Sequence, residues 1–454
     1  MTSFRSMALV GLAAASFATA ADSRAAGPDR HVVVISIDGL PGYLLDDPHA
    51  SLPAIRGLRD DGAFAAEGMR VSNPSVTWPN HTTMMTGVHP EKHGVLFNGL
   101  LERHGVGQPV RVVPKKDQKD LVRVPMLFDH LKAAGLESAA INWPCTRGST
   151  SIEANFPDVP DQLSAASDVV KSTLEKLGRH ARFLDGGPVV RDEIWTDVAC
   201  DVIRERRPSL VAVHLLNLDS THHKYGPKTN PGYTSAGLQD ANISRILAAI
   251  KEAGIREKTT VFVVADHGFI TVKKTLNPNS LLRKEGLLTV DGNEVRSARV
   301  QVVPEGGIGM VYCNDPATAD KDRETARSLF QGAEGVACVL SAEDFPRYHL
   351  PLPKADTRMA DLVLVAKDGY SVTAKATEDA FVTPAREPFG AHGYVSTDPQ
   401  MNAIFVASGY GIRTGVKVKD VENTDLAPTI ARILGVKLEG AGGRVLTEIL
   451  DGHE

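Results

Sequence analysis

Apolar runs and amphipathic stretches alternate along most of this chain. Uninterrupted apolar, β-branched runs predict strands that are buried on both faces, and they occur at His31–Ile37, Ser138–Trp143, Leu210–Leu218, Thr259–Ala265 and Asn402–Ala407. Apolar residues spaced three and four apart predict helices, and they occur at Leu52–Asp61, Val124–Ala134, Trp195–Arg206, Leu238–Ala253 and Thr424–Leu434. This alternation predicts an α/β fold in which helices cover both faces of a mostly parallel sheet.

The alternation changes between residues 277 and 388. Short apolar runs at Val300–Val303, Ile308–Tyr312 and Leu362–Ala366 surround a polar helical stretch at Ala319–Gly332. We interpret this segment as an inserted, smaller α+β subdomain. The predicted core then has two parts, residues 31–276 and residues 389–454.

The first 20 residues have the pattern of a secretory signal peptide. Arg5 precedes the apolar run Met7–Ala18, and small residues follow at Ala18-Thr19-Ala20, as at a cleavage site. The apolar run is too short to span a membrane as a helix. We therefore expect an exported protein, periplasmic or secreted, without a membrane anchor.

Composition narrows the possible partners. The 454 residues are 42% hydrophobic and 23% charged, with a net charge of −5. These values are typical of a soluble globular protein and give no reason to expect nucleic acid as a partner. Besides Cys145 and Cys200 the chain has Cys313 and Cys338; in an oxidising compartment two disulfides can form, and the pair Cys313–Cys338 is the first expectation.

Metal-binding residue types follow three of the predicted strands. Asp38 follows the first strand, Asp219 follows the third, and the pair Asp266-His267 follows the fourth. Ligands of open α/β sheets bind outside the carboxyl ends of the strands. These side chains are therefore expected to converge on one crevice.

The spacing of the histidines extends this set. Asp219 and His223 are four residues apart, which places both side chains on one face of a helical turn. His392 lies in a Gly-Ala-His-Gly segment. Six carboxylate and imidazole ligands predict a site for two divalent ions. Zinc is the first expectation, although manganese and iron accept the same ligands.

Thr77 lies at the predicted start of a helix. Pro79 suits a first helical turn, and the stretch from Asn80 to Thr86 can be helical. An isolated Thr in this position is usually only a helix cap, but a helix N-terminus also favours an anion. Two ions about 4 Å apart can clamp an in-line phosphoryl displacement. The combination predicts that Thr77 is a nucleophile that forms a phospho-threonine intermediate.

The order of these motifs resembles the nucleotide pyrophosphatase/phosphodiesterase branch of the alkaline phosphatase superfamily. The matching motifs are IDG at 37–39, TWPNHTTMMTG at 77–87 with HG and Asn98 downstream, D-x-x-x-H with KYGP at 219–227, ADHG at 265–268 and AHGY at 391–394. The resemblance implies an alkaline-phosphatase-like three-layer α/β/α core. It also implies hydrolysis of phosphodiester or pyrophosphate bonds in a small, nucleotide-like phosphate ester.

The resemblance further implies roles for individual residues. The implied ligand sets of the two zinc ions are Asp38, Asp266 and His267 with the Thr77 oxygen, and Asp219, His223 and His392. Asn98 is implied to donate a hydrogen bond to a phosphoryl oxygen in the transition state, a contribution of roughly 10²- to 10³-fold in rate.

Some positions differ from the family pattern. His222 occupies a position that is often Gly in the family, and Leu216-Asn217-Leu218 replaces its usual acidic and proline residues. Trp143-Pro144 resembles a Trp-Pro segment that lines the family's substrate pocket. The differences at His222 and at Leu216-Asn217-Leu218 affect the expected substrate and leave the implied metal ligands intact.

Two other activities of this superfamily, those of a sulfatase and of a phosphomonoesterase, would each need particular residues. A sulfatase of this superfamily would need Cys or Ser followed by Pro and Arg, whereas this chain has Thr77, Pro79 and His81. A phosphomonoesterase would need additional cations to hold the extra phosphate charge. Arg147 is one candidate, and the adjacent lysines at 115 and 116 are others.

Two further hypotheses stay open. A phosphonoacetate-type hydrolase would use the same two-zinc threonine site. A non-catalytic, metal-stabilised binding protein would be expected to lack the nucleophile or a ligand, and every such position is filled here.

Overall fold

The structure is a computed structural model that describes residues 29–452. The predicted signal peptide, residues 1–20, lies outside this range. Among the described residues, no helix combines the length and the apolar character needed to cross a membrane.

Within the described range the chain forms both strands and helices throughout. The strands are β1 (His31–Ile37), β2 (Gly62–Ala65), β3 (Leu100–Glu102), β4 (Arg111–Val113), β5 (Ser138–Pro144), β6 (Ala154–Asp158), β7 (Leu210–Leu215), β8 (Thr259–Val264), β9 (Ile270–Leu276), β10 (Leu288–Asp291), β11 (Glu294–Ala298), β12 (Val300–Pro304), β13 (Ile308–Cys313), β14 (Val336–Leu340), β15 (Leu362–Ala366), β16 (Tyr370–Val372), β17 (Val382–Ala391), β18 (Phe405–Gly409) and β19 (Val416–Val418). The helices are α1 (Pro53–Asp60), α2 (Thr77–Thr86), α3 (Pro90–His93), α4 (Gln118–Leu121), α5 (Leu127–Ala133), α6 (Gln162–Ala165), α7 (Asp168–Lys176), α8 (His180–Asp185), α9 (Pro188–Arg206), α10 (Asn217–Tyr225), α11 (Asn230–Glu252), α12 (Pro278–Lys284), α13 (Ala319–Phe330) and α14 (Leu426–Ile433).

The main sheet has eight strands in the order β19-β2-β18-β8-β1-β7-β5-β6. Its central strands β8, β1, β7, β5 and β6 are all parallel to one another, and β18 joins the sheet antiparallel. The strands β1, β7 and β8 are buried along their whole length. The predicted α/β fold with a mostly parallel sheet is confirmed.

Two separate groups of helices pack against this sheet. Helices α1, α7, α9 and α11 form one connected group, and α2, α5 and α14 form another. The arrangement gives the three-layer α/β/α core that the motif resemblance implies. Both groups contribute to the candidate site, since α2 carries Thr77 and α10, packed on α9 and α11, carries Asp219.

A second, antiparallel sheet has the strand order β12-β13-β15-β14, and α13 packs on it. A third, three-stranded sheet, β16-β9-β17, connects this region to the core. Strand β17 ends at Ala391, directly before His392. We propose that the second sheet and its helices form the inserted subdomain predicted for residues 277–388.

All four cysteines are free, so the predicted Cys313–Cys338 disulfide is wrong. Cys313 is the last residue of β13 and Cys338 lies in β14, and the strand β15 lies between them in the sheet. Two strand spacings amount to about 10 Å, whereas a disulfide needs Cα atoms within about 7 Å.

The third predicted strand is shorter than the sequence suggests. The apolar run Leu210–Leu218 predicts one strand, but β7 ends at Leu215 and α10 begins at Asn217. The buried Asp192 carboxylate accepts hydrogen bonds from the backbone N–H groups of Leu216 (2.8 Å) and Asn217 (2.9 Å). These bonds satisfy N–H groups at the start of α10, so Asp219 lies in the first turn of a helix and not at a strand end.

Candidate active site

Asp38 lies at the carboxyl end of the central strand β1 and is fully buried. Its Oδ2 lies 2.8 Å from the Nε2 atom of His214 on the neighbouring strand β7. Its Oδ1 has no hydrogen-bond partner among the described residues. One oxygen of this carboxylate is therefore free to bind a ligand.

Asp266 and His267 follow the neighbouring strand β8 and are also fully buried. The Asp266 Oδ1 atom accepts hydrogen bonds from the backbone N–H groups of Gly39 and His267. The His267 Nε2 atom lies 3.3 Å from Asp38 Oδ1 and 3.3 Å from Asp266 Oδ2. Asp38 Oδ1, Asp266 Oδ2 and His267 Nε2 therefore converge on a common point. Within the described part of the chain, none of these three buried atoms has a hydrogen-bond partner.

Asp219, His223 and His392 form a second group. The Asp219 Oδ1 atom lies 3.3 Å from His223 Nε2 and 3.8 Å from His392 Nε2. The three residues offer ligand atoms that all lie within 4.8 Å of one another, and so do Asp38, Asp219 and His267. The rings of His267 and His392 stack with centroids 3.6 Å apart, so the two groups adjoin.

The three imidazoles of these groups share one orientation. In His223, His267 and His392 the Nδ1 atom lies 3.0 to 3.2 Å from a backbone carbonyl oxygen. A carbonyl only accepts hydrogen bonds, so Nδ1 carries a proton, and Nε2 is the nitrogen that faces the carboxylates. Metal-binding histidines have the same arrangement, with the second ring nitrogen donating to a carbonyl or carboxylate.

The electrostatics of the site also fit a cation. Burial, together with the nearby Asp266 and Asp219 carboxylates, raises the pKa of Asp38 well above its ordinary value. Burial lowers the pKa of both His267 and His392 to about 3, so both imidazoles are neutral at physiological pH. Three carboxylates together with imidazole nitrogens form a donor set that fits divalent ions with nitrogen and oxygen ligands.

Thr77 is the first residue of α2, and the N-cap is Val76. The helix therefore begins three residues before the predicted Asn80, with Pro79 inside its first turn. Val76 has the extended conformation of a cap residue (φ −129°, ψ 165°), so the cap interpretation of Thr77 is wrong. The side chain of Thr77 is left available for another role.

The residues on either side of Thr77 contact both groups of ligands. Ser75 accepts the Nδ1–H of His392 through its backbone oxygen at 3.0 Å. One turn after Thr77, the His81 Nδ1 atom lies 2.9 Å from the Thr77 backbone oxygen and 3.7 Å from Asp266 Oδ2. Thr77 thus lies in a short segment held between the two groups.

Asn98 lies next to this segment. Its Oδ1 atom accepts a hydrogen bond from the backbone N–H of Trp78 at 2.8 Å. Its Nδ2 group makes no hydrogen bond to the rest of residues 29–452, so both amide protons are available to a ligand near Thr77.

Comparison with known proteins identifies the family. The sequence model of the type I phosphodiesterase / nucleotide pyrophosphatase family matches residues 32–395. The chain belongs to this family. Membership makes it a hydrolase of the phosphodiesterase and nucleotide pyrophosphatase class, as the motif resemblance implies.

Curated relatives match most of the chain at low identity. An uncharacterised pyrophosphatase/phosphodiesterase of Schizosaccharomyces pombe is 24% identical over 418 residues, which cover 91% of this chain and 78% of the relative. Bovine bis(5'-adenosyl)-triphosphatase is 22% identical over 432 residues, which cover 92% of this chain and 80% of the relative. Rat ectonucleotide pyrophosphatase/phosphodiesterase family member 3 is 22% identical over 413 residues, and the chain spans only 42% of its length.

Solved structures of the family share the fold. Human ectonucleotide pyrophosphatase/phosphodiesterase 5 superposes with a TM-score of 0.70 at 17% identity, covering 93% of this chain and 100% of the human chain. An inactive threonine-to-alanine variant of the murine protein, in complex with AMP, gives a TM-score of 0.69 at 18% identity, covering 93% and 100%.

Two residues near the family's site motifs escape the sequence analysis. His214 is the only polar side chain in the buried run Leu210–Leu215, and this unusual position is the signal that could have revealed it. Asp158 ends β6 and accepts a hydrogen bond from the indole Nε1–H of Trp78 at 3.1 Å. It follows the same strand-end rule as Asp38, but its Pro-rich surroundings obscure the strand.

Two residues that differ from or resemble the family pattern are buried. His222 is fully buried, with its ring 5.0 Å from that of Phe269, so it is not a solvent-exposed side chain. Trp143 is also fully buried and packs edge-on against His81 at 4.8 Å. Trp143 therefore belongs to the core and does not line an open pocket.

The candidate cations for a phosphomonoesterase are all paired with carboxylates. The pairs are Arg147 with Asp117 at 3.5 Å, Lys115 with Asp161 at 2.8 Å and Lys116 with Glu102 at 2.7 Å. Their charges are thus already compensated within the protein.

Proposed function

We propose that this protein is a two-zinc phosphodiesterase or nucleotide pyrophosphatase that acts through a phospho-threonine intermediate on Thr77. One observation carries the proposal. Six side chains with available ligand atoms converge beside the segment that begins α2, and Thr77 is the first residue of that helix.

Each proposed ion has its own protein ligands. The proposed sets are Asp38, Asp266 and His267 with the Thr77 oxygen, and Asp219, His223 and His392. When bound, a pair of divalent ions supplies Lewis-acid stabilisation of the phosphoryl oxygens and lowers the pKa of a coordinated hydroxyl. Zinc suits this mixture of imidazole and carboxylate ligands, and manganese or iron are the alternatives.

The residues of the chain act in two half-reactions. In the first, the Thr77 hydroxyl gives up its proton as its oxygen attacks phosphorus, the bond from phosphorus to the leaving oxygen breaks, and the leaving alcohol or phosphate gains a proton. The free amide protons of Asn98 and the N–H groups in the first turn of α2 stabilise the charge on the phosphoryl oxygens. In the second, a water oxygen attacks phosphorus, the bond from phosphorus to the Thr77 oxygen breaks, this oxygen regains a proton from the attacking water, and the phosphate product leaves.

The charges around the site favour a diester over a monoester. A phosphate monoester carries one more negative charge, which needs cations that are free to hold it. Arg147 and the lysines at 115 and 116 are already paired, and the Asp158 carboxylate adds negative charge beside Trp78. We therefore propose a diester or pyrophosphate substrate.

The names of relatives support a nucleotide-like substrate. The bovine relative is named for the hydrolysis of a bis-adenosyl triphosphate, and the murine structure contains AMP bound to an inactive threonine-to-alanine variant. We extend this substrate class, and the importance of a threonine, to the present chain by analogy.

We also propose that the protein acts after export. This proposal rests on the signal-peptide pattern of residues 1–20 and on relatives that are named ectonucleotide or venom enzymes.

The test compares the zinc-loaded protein with its Thr77→Ala variant on bis-p-nitrophenyl phosphate, p-nitrophenyl phosphate and phosphonoacetate. We expect the diester to be the fastest of the three, and Thr77→Ala to lose nearly all activity. Thr86→Ala is the matched control, because Thr86 ends the same helix and its hydroxyl bonds the Thr82 backbone oxygen. A mass increase of one phosphoryl group on the Thr77 peptide, after acid quenching, identifies the intermediate.

The alternatives make different predictions in the same assay. Equal activity of wild type and Thr77→Ala would exclude the nucleophile role. Fastest cleavage of phosphonoacetate would favour the phosphonoacetate-type hydrolase. Binding of zinc without turnover of any ester would favour a metal-stabilised binding protein.

A further inference from the structure

His214 occupies an unusual place for a histidine. It lies in the central strand β7, is fully buried, and is flanked in sequence by Val213 and Leu215. A buried imidazole in an apolar strand is costly unless its ring nitrogens are hydrogen-bonded. Both nitrogens of His214 have partners.

The first partner is Asp38. The His214 Nε2 atom lies 2.8 Å from Asp38 Oδ2. When Asp38 is ionised, as a metal ligand must be, this oxygen accepts and Nε2–H donates. The other oxygen, Oδ1, is the one that lies 3.3 Å from His267 Nε2 and has no hydrogen-bond partner within the described range. The two oxygens of Asp38 therefore have different surroundings. Oδ2 is bonded to His214, whereas Oδ1 faces the proposed metal site.

The second partner is Asn142 in strand β5. The His214 Nδ1 atom lies 3.0 Å from the Asn142 backbone oxygen and 3.3 Å from Asn142 Nδ2. Asn142 Nδ2 also donates to the His214 backbone oxygen at 3.2 Å, and Asn142 Oδ1 accepts from Gln162 Nε2 at 2.6 Å. The imidazole is therefore held on both edges, by groups that are themselves fixed.

We propose that His214 is a positioning residue for the first metal site. It holds Oδ2 of Asp38, so that only Oδ1 is presented to the ion, and it ties that orientation to the neighbouring strand β5. The inference rests on the proposed metal site, but it concerns a residue outside the proposed ligand sets. Hydrogen-bond partners of this kind typically change metal affinity by roughly 10- to 100-fold when they are removed.

The experiment measures zinc affinity and not activity. Metal-free wild type, His214→Leu and His214→Gln are titrated with zinc in competition with a chromophoric chelator. For His214→Leu we expect one of the two ions to bind roughly 10- to 100-fold more weakly, while the affinity for the other stays the same. His214→Gln can still donate an N–H to Asp38, so its loss of affinity is expected to be smaller.

His93→Gln is the matched control. His93 is another fully buried histidine, but its Nε2 lies 2.9 Å from Thr83 Oγ1 and it contacts no proposed ligand. Its zinc affinity is expected to equal that of wild type. Near-UV circular dichroism checks folding, and if His214→Leu does not fold, the comparison of His214→Gln with His93→Gln decides.

The outcomes separate this inference from the proposed function. Wild-type affinity for both ions in the folded His214 variants would overturn the positioning role and leave the two-zinc proposal intact. Equal weakening in His93→Gln would also overturn it, because the effect would then be general. A wild-type protein that binds no zinc would overturn the proposed function itself.

Discussion

The side-chain oxygen of Asn98 accepts a hydrogen bond from the backbone N–H of Trp78, at 2.8 Å. This contact fixes which end of the amide faces α2, because only Oδ1 can accept. The two Nδ2 protons are then presented away from Trp78 and stay available beside Thr77. The residue implied to stabilise the transition state is thus held in place by the neighbour of the proposed nucleophile.

Substitution of Asn98 tests this arrangement. We expect Asn98→Ala to lower kcat for bis-p-nitrophenyl phosphate by roughly 10²- to 10³-fold, with a smaller change in KM, since the donor acts mainly in the transition state. Steady-state kinetics measure both constants. A loss below about tenfold would show that Asn98 serves only to hold Trp78.

Asp158 is expected to contribute to substrate selection. Replacing it by Asn removes a negative charge beside Trp78, and the ratio of monoester to diester kcat/KM should rise about fivefold, equivalent to ~1 kcal/mol of screened repulsion. Competition between p-nitrophenyl phosphate and bis-p-nitrophenyl phosphate gives this ratio. Asp168→Asn is the control, since that carboxylate is fully exposed on α7, and an equal change there would refute the local effect.

Asp192 is expected to stabilise the start of α10. Its carboxylate accepts the N–H groups of Leu216 and Asn217 and also bonds Gln239 Nε2 at 2.6 Å. The amide in Asp192→Asn cannot accept all three, so the free energy of unfolding should fall by about 1–3 kcal/mol. Urea denaturation measures this change, and an unchanged midpoint would contradict it.

Metal removal is expected to destabilise the protein. Without cations, the buried carboxylates Asp38 and Asp266 lie close together beside the partly buried Asp219, and a ligand at 100 times its Kd contributes about 2.7 kcal/mol. A chelator should therefore lower Tm, and zinc should restore it better than magnesium, which prefers oxygen ligands. Thermal unfolding by circular dichroism tests this, and an unchanged Tm in chelator would argue against a resident metal.

Glu305 is expected to make the free energy of unfolding depend on pH, with a sign that follows from its raised pKa. Burial raises its pKa well above the ordinary value, and neither carboxylate oxygen has a hydrogen-bond partner among residues 29–452. Above the unfolded pKa of about 4.3 the folded state holds a proton that the unfolded state releases, so this group makes stability fall as pH rises towards the folded pKa. Glu305→Gln removes this loss.

The stability of Glu305→Gln relative to wild type should therefore increase by about 1.4 kcal/mol per pH unit over that window. Urea unfolding of both proteins at several pH values between about 5 and 8 measures the difference. Glu294→Gln, at an exposed glutamate in β11, should show no such trend. A pH-independent difference for Glu305→Gln would contradict the prediction.

The sequence was most informative where burial is uniform. The run His31–Ile37 predicts β1 with its observed ends, because all seven residues are buried and all except His31 are apolar or small. Helices were less sharply bounded: α11 begins at Asn230, eight residues before the predicted Leu238. Its first turns contain Gly and Pro, and their contacts with α10 stabilise what local propensity does not.

The sequence predicts the residue types of the candidate site, but not the hydrogen bonds that hold these residues in place. Strand ends and histidine spacing point to residues such as Asp38 and His223 because side-chain chemistry is local information. The contacts of His214 with Asp38, and of Asp192 with Leu216, join distant parts of the chain. Without knowledge of strand order, a single sequence gives no indication of such pairs. The same limitation explains the wrong disulfide, since only the sheet order separates Cys313 from Cys338.

The strand order β8-β1-β7 has a consequence for how the protein acquires its metal. Asp38 and His267 follow adjacent strands that pair only when segments far apart in the chain have come together, and His392 arrives after the second sheet. Contacts between distant segments form slowly and late in folding. We therefore expect a nascent or truncated chain to have no zinc affinity beyond that of isolated Asp–His pairs. High-affinity zinc uptake would then report that the whole core has assembled, in the manner of a folding checkpoint.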